Sequence, residues 1–203
     1  AKSFDMLWLD IVEVIQWASN KPFAFLAHYP SCGVGGHCIP VDPYYLIERA
    51  KKAGFDHKFL RIAREINNSM PEYMIEKLIF WLNTQKKALH GTNIWVLGLS
   101  YKRNISDMRD APSHAIIRKL KHFNATVHSF DPYCIEESTS DSLDNLLKQT
   151  EVLLIVTNHD SFLKDITPKV LKKNSIKLLI DGRNCLDKDA FIKQWIHYIG
   201  IGR

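Results

Sequence analysis

After Gly91 short apolar runs recur between helical segments, and this alternation constrains the fold more than any other feature of the chain. Asn93–Leu97 (NIWVL), Thr126–Phe130 (TVHSF), Val152–Val156 (VLLIV) and Lys177–Ile180 (KLLI) read as short strands, with Trp195–Ile199 as a further one. Runs of this kind suit strands buried on both faces, as in a parallel sheet. Helical segments fall between them at Pro112–Phe123, Ser142–Gln149, Ser161–Leu171 in broken form, and Lys188–Lys193. Asp110 stands where a cap for the first of these belongs, with Pro112 close behind. Alternating strands and helices require crossover connections, so this half is an α/β unit with a Rossmann-like parallel sheet. Its first strand runs into Gly98-Leu-Ser-Tyr-Lys102, not into a glycine-rich turn that opens a helix. It therefore lacks the fingerprint that seats a dinucleotide pyrophosphate.

Before residue 90 the periodicity is helical. Leu9, Val12, Ile15 and Gln16 to Ala18 take the spacing of an amphipathic helix that stops near Lys21-Pro22. Residues 23–43 show little periodicity and hold most of the glycine and proline of this half. Helix signals return at Tyr45, Leu46, Ile47 and Ala50, and again from Phe59 to Ile66. Ser69-Met-Pro-Glu72 has the form of a capping box, with Ser69 as cap and Glu72 reaching back. The helix it opens carries Met74, Ile75, Leu78, Ile79, Trp81 and Leu82, a wider apolar face than a lone surface helix needs. This predicts a homodimer with Met74, Leu78, Trp81 and Leu82 in its seam. Neighbouring helices of the same chain are the alternative cover. The expected organisation is a helical segment over residues 1–90 and a Rossmann-like domain over 91–203.

Composition removes several classes. With 203 residues, 46% of them hydrophobic and 24% charged, the chain has ordinary globular values. No apolar run approaches the roughly 20 residues of a membrane span. The opening AKSFDML has no apolar stretch before a small-residue cleavage site, so a cytoplasmic protein is expected. Lys and Arg number 27 against 22 Asp and Glu, a mild excess of +5. The densest basic stretch, Arg118–Phe123, reads as an exposed helix face, and no basic stripe is interleaved with aromatics. That argues against nucleic acid, whereas a small anionic ligand suits the charge. Four cysteines without an export signal suggest free thiols.

The most informative string runs from Ser31 to Tyr45, SCGVGGHCIPVDPYY. Gly33, Gly35 and Gly36 make a loop whose backbone can approach a ligand closely. Cys38 follows, then Asp42 four residues on. A thiol attacks an electrophile, and a nearby carboxylate can manage protons or order a water. Equally, Cys38 can be a small buried hydrophobe and Asp42 the cap of a helix opened by Pro43. His28, Cys32, His37 and Cys38 crowd the same loop, which raises zinc as a third reading. Adjacent residues rarely ligate one ion together, and the usual separated pairs are missing, so no metal is expected.

GVGGHCIPVDPYY resembles the active-site loop of the NAD-dependent nucleotide-sugar 6-dehydrogenases, the UDP-glucose/GDP-mannose dehydrogenase family. Within it, the loop looks like the branch acting on UDP-N-acetylglucosamine or UDP-N-acetylmannosamine, where a histidine precedes the cysteine. The resemblance continues in Val96–Lys102 (VLGLSYK), Asn104–Pro112 (NISDMRDAP), Asp131-Pro-Tyr133 and Asp181-Gly-Arg183-Asn184, from about Leu9 onward. It implies a UDP-binding second domain and oxidation of the sugar C6 alcohol to a uronic acid through a cysteine thioester. Cys38 then matches the nucleophile and Asp42 the aspartate beside it, with Gly33, Gly35 and Gly36 at the substrate. Tyr101 and Lys102 match the aromatic–lysine pair that contacts the UDP-sugar. Arg183 matches a further substrate contact, and Arg109 the arginine that reaches NAD.

The resemblance also implies what this sequence does not carry. The family's glycine-rich NAD-binding domain, catalytic lysine and nearby asparagine have no counterpart here, and residues 1–8 match nothing. The chain therefore reads as the C-terminal part of such an enzyme, inactive on its own. A non-catalytic UDP-sugar-binding module and a UDP-glucose 6-dehydrogenase are the competing readings.

Overall fold

Side chains along each strand alternate between two separate cores, one on each face of a single sheet. The computed structural model describes residues 1–148 and 150–203. Five helices come first: α1 (Lys2–Leu7), α2 (Ile11–Ala18), α3 (Asp42–Lys52), α4 (Lys58–Asn68) and α5 (Met70–Thr84). The sheet follows, with β1 (Asn93–Leu97), α6 (Pro112–His122), β2 (Thr126–Phe130), α7 (Leu143–Leu147) and β3 (Val152–Ile155). It closes with α8 (Asp160–Asp165), α9 (Pro168–Lys173), β4 (Leu178–Asp181), α10 (Lys188–Ile192) and β5 (His197–Gly200). Every pairing is parallel and the order is β2-β1-β3-β4-β5, a doubly wound α/β sheet. No described helix is long and apolar enough to cross a membrane.

Ile94, Val96, Val152, Leu154, Leu178 and Ile180 point to one face and pack with Met74, Ile75, Leu78 and Leu82 of α5 and Ile116 and Leu120 of α6. Trp95, Leu97, Leu153, Ile155 and Leu179 point to the other, against Phe162, Leu171 and Phe191. β1 and β2 fall where the periodicity places them. β4 is displaced by one residue because Lys177 stays outside and Asp181 completes the strand. The last strand begins at His197, since Trp195 turns with φ 64° and lies exposed. The helix expected over Ser142–Gln149 is α7, and Gln149 lies outside the described residues.

Three expectations are corrected. The apolar face of α5 is no subunit seam: Met74, Leu78, Trp81 and Leu82 are all buried in this chain's own core, because the sheet supplies the cover. No capping box forms at Ser69-Glu72. Ser69 sits in helical geometry between α4 and α5, its hydroxyl donates to the Ile66 carbonyl, and the Glu72 carboxylate pairs with Lys119 of α6. Asp110 does not cap α6; Ala111 holds that position, and Asp110 takes φ +46°. Residues 1–8, unassigned from sequence, form α1, where Asp5 accepts from Tyr73 and from the Gly202 amide and pairs with Lys77.

Replacing Leu78 by alanine removes a fully buried side chain from the α5–sheet contact. It is expected to lower unfolding stability by about 2–5 kcal/mol in a denaturant melt. A change below about 0.5 kcal/mol would show that this contact does not hold the helix to the sheet.

Candidate functional site

The carboxyl edge of the sheet is built on two buried carboxylates. Asp131, just after β2, accepts from the Leu99 and Ser100 amides through Oδ2 at 2.7 and 2.9 Å, and from the Tyr133 amide through Oδ1. His159, after β3, sets Nε2 3.0 Å from Asp131 Oδ2 and 3.2 Å from Ser100 Oγ. The Asn104 amide donates to His159 Nδ1, which puts the ring proton on Nε2. Burial alone would raise the Asp131 pKa. The hydrogen bonds from His159 and from the Ser100, Tyr133 and Leu99 amides outweigh it and bring the group down to about 2.

Asp181, the last residue of β4, accepts from the amides of Arg183, Cys185 and Leu186 and from the Tyr198 hydroxyl. That turn aims Arg183 across the edge. Its Nε donates to the Val156 carbonyl at 2.7 Å and its Nη2 to the Tyr101 carbonyl at 2.9 Å. The arginine thus ties together the loops that follow β1, β3 and β4.

The glycine loop docks on this edge. The Cys32 amide donates to the Gly182 carbonyl at 2.8 Å and the Gly36 amide to the Arg109 carbonyl at 2.8 Å. The Val34 amide donates to Asn67 Oδ1 at the end of α4. Gly33 faces Pro112 and the Asn67 carbonyl. A Cβ on Gly35 would stand 2.6 Å from the Asp110 carbonyl oxygen. One on Gly36, where φ is +90°, would stand 2.9 Å from the Tyr101 ring. Only glycine permits this docking.

The structure brings Gly33, Gly35, Gly36, Tyr101, Arg109 and Arg183 into one cluster of contacting loops. Cys38 and Asp42 lie just beyond, on an exposed turn closed by the Val41 amide donating to the His37 carbonyl. Asp42 Oδ1 stands 3.1 Å from His37 Nδ1, in the first turn of α3, so its carboxylate faces the histidine. Lys102 is exposed, and its ammonium makes no ion pair among the described residues. Arg109 grips Asp107 bidentately, which holds its pKa above the usual value. A cleft of about 380 Å³ opens beside the loop, lined by Tyr29, Ser31, Asn158, Arg183 and Asn184 among others.

Cys38 differs from the other three cysteines. Burial raises the pKa of Cys32, of Cys134 to about 11, and of Cys185 far above the thiol range, with Asp181 adding to the last. Cys38 alone of the four is exposed. Among the described residues no three His, Cys, Asp or Glu side chains come together as a metal would need. The turn after β1 does not fit a dinucleotide pyrophosphate, because Asp131 already holds the Leu99 and Ser100 amides. Arg109, the residue that the resemblance places toward NAD, holds its guanidinium on Asp107.

Known proteins match the chain in two parts. The model of the UDP-glucose/GDP-mannose dehydrogenase family, central domain, covers residues 1–69, and that of the family's UDP binding domain covers residues 95–188. The chain belongs to this family. The central-domain match includes residues 1–8, which the sequence reading left outside the resemblance. A UDP-N-acetyl-D-mannosamine dehydrogenase of Methanococcus maripaludis is 33% identical over 95% of this chain. The chain spans 44% of that relative, about half its length. The structure of a UDP-D-ManNAc dehydrogenase from Pyrococcus horikoshii superposes with TM-score 0.85 at 33% identity, over 99% of this chain and 47% of that one. An NDP-N-acetyl-D-galactosaminuronic acid dehydrogenase from Methanosarcina mazei gives TM-score 0.79 at 29% identity, over 87% and 40%.

Sequence reasoning missed His159, a single histidine outside every quoted motif. Its signal was positional, four residues past the end of β3, where an α/β sheet gathers its functional groups. Asp131→Asn removes the charge that His159 and the amides surround. It is expected to cost about 2–3 kcal/mol of stability near pH 7. The folded pKa of about 2 lies below the ordinary 3.8, so the carboxylate's contribution is present above about pH 4 and lost as pH falls toward 2. Melts of the two proteins should therefore converge between pH 4 and 2. A gap that stays constant over this range would remove the charge from the explanation.

Proposed function

We propose that this chain supplies the thiol nucleophile and the nucleotide-sugar site of an NAD-dependent UDP-N-acetylhexosamine 6-dehydrogenase. The observation that carries this reading is the glycine loop, clamped to the sheet edge and ending in Cys38, the exposed thiol of the four. Relatives named for UDP-N-acetyl-D-mannosamine at about one third identity favour an N-acetylhexosamine over plain glucose.

Oxidation of C6 from alcohol to acid removes two hydrides, and NAD is the acceptor when bound. The chain's own part is the capture between them. The Cys38 thiolate adds to the C6 aldehyde, forming a C–S bond while the carbonyl oxygen takes a proton. After the second oxidation the sulfur holds an acyl group, and attack by water breaks the C–S bond to release the uronic acid and the thiol. The His37–Asp42 pair, at 3.1 Å, is the proton-handling group offered for that water. Lys102, without a carboxylate partner among the described residues, would meet the pyrophosphate as a point charge. Arg183 spends two donors on carbonyls, so its main contribution is to fix the Tyr101 loop on which a nucleotide would rest. Homodimerisation also belongs to this proposal, seated on the exposed α4 row Phe59, Ile62 and Ile66 in place of the α5 face.

Alkylation with iodoacetamide, followed by peptide mass spectrometry, tests the thiol. Cys38 is expected to react at least about tenfold faster than Cys32, Cys134 or Cys185, with UDP-N-acetylmannosamine slowing it. Equal rates at all four would favour a non-catalytic binding module. For the nucleotide site, titration calorimetry with UDP should show a loss of about 1.5–3 kcal/mol in Lys102→Ala. An unchanged affinity would take Lys102 out of the pocket.

A further inference from the structure

On the other side of the glycine loop from Arg183 lies a second cavity, of about 530 Å³, between α4 and the start of α6. It shares no lining residue with the Arg183 cleft. Its size is that of a small-molecule site. Arg64 of α4 forms part of its wall and is only 7% exposed. One guanidinium nitrogen, Nη2, donates to Asn68 Oδ1 at 2.8 Å. Asn68 in turn donates to the Tyr44 hydroxyl at 3.4 Å. The Arg64 Nε is buried without a hydrogen-bond partner, and Arg64 makes no ion pair among the described residues.

A guanidinium cannot shed its charge, so burying it against neutral groups alone is costly. Protein interiors normally answer such a charge with a carboxylate. Here the cavity is lined by Arg118 of α6 as well, with Asp110 as the single carboxylate in its wall. Two arginines and one aspartate line it, and His114 adds no negative charge. The wall is thus short of one anion at the place where a buried N–H has no acceptor.

We infer that this cavity binds an oxyanion, a phosphate or carboxylate group borne on a small organic molecule, with Arg64 and Arg118 as its anchors. The fork of a guanidinium matches both groups in geometry and charge. The Pro40, Val41 and Pro71 side of the cavity offers apolar surface to the body of such a molecule. The cavity borders the proposed UDP-sugar site at Gly33, and the oxyanion is a ligand separate from the nucleotide.

Calorimetric titration of the whole 203-residue chain with inorganic phosphate, and separately with acetate, tests this. Chloride keeps the ionic strength constant. Saturable one-to-one binding of at least one anion is expected, and the tighter of the two identifies the head group. Binding should weaken about tenfold in Arg64→Met and by a similar factor in Arg118→Gln, and saturating UDP should leave it unchanged. Arg118 is exposed, so Arg118→Gln preserves the fold and decides the matter if Arg64→Met does not fold. Absence of saturation with both anions, equal affinity in the folded variants, or displacement of the anion by UDP would each overturn the inference. Displacement would assign Arg64 to the nucleotide site. Failure of the UDP titration with Lys102→Ala would leave this result untouched.

Discussion

The hydrogen bonds converging on the Asp131 carboxylate fix the geometry on which the candidate site depends. Three backbone amides and a histidine meet one buried charge at the point where β1 and β3 diverge. In a dinucleotide-binding sheet, amides after the first strand are left free for a phosphate. Here a protein carboxylate takes that place. The edge keeps the doubly wound architecture but becomes a rigid platform, and the ligand-facing groups move outward to the loops that rest on it.

Asp181 repeats the device one strand from β3. The amides of Arg183, Cys185 and Leu186 that donate to it wind the turn that throws Arg183 back over the Val156 and Tyr101 carbonyls. The glycine loop then has a surface to dock against, and it docks with no room for a Cβ at Gly35 or Gly36. The sequence of dependence runs from buried carboxylate to turn, from turn to arginine, and from arginine to loop. A change at Arg183 therefore acts on the position of Tyr101 before it acts on any ligand. Lys102 is exposed and makes no ion pair among the described residues, so under the proposed function a change there acts on the ligand directly.

Short continuous apolar runs made the sheet legible, because the central strands β1, β3 and β4 are buried on both faces and tolerate little else. The loop was legible too, since three glycines beside Cys38 have few other uses. Local signals failed where tertiary partners won. Ser69 and Glu72 have the spacing of a capping box, yet Lys2 and Lys119 lie close enough to compete for them. The α5 face read as a subunit seam because its width was visible while the sheet that covers it was still undrawn. Arg64 looked like any charge on a helix, and nothing in its spacing told of its burial. His159 was invisible because its partners Asp131, Asn104 and Ser100 lie 28, 55 and 59 positions away, and Arg64 because much of the cavity wall it joins comes from the glycine loop and α6.

Thiol chemistry imposes opposite demands on the two ends of the loop. Cys32 must anchor, and it does so as a buried thiol whose pKa burial has raised, with its amide held by Gly182. Under the proposed function Cys38 meets a substrate, and six residues later the chain has left the sheet edge for an exposed turn. The glycines lie between these two states. Gly33, Gly35 and Gly36 let the backbone stay pressed to Tyr101 and the Arg109 carbonyl until the last residue before the turn. A loop with ordinary side chains would have to stand off from the platform, and the thiol would then swing with the loop. Close docking without side chains leaves the one exposed cysteine accessible beside a docked backbone, a combination that orientation-dependent chemistry requires.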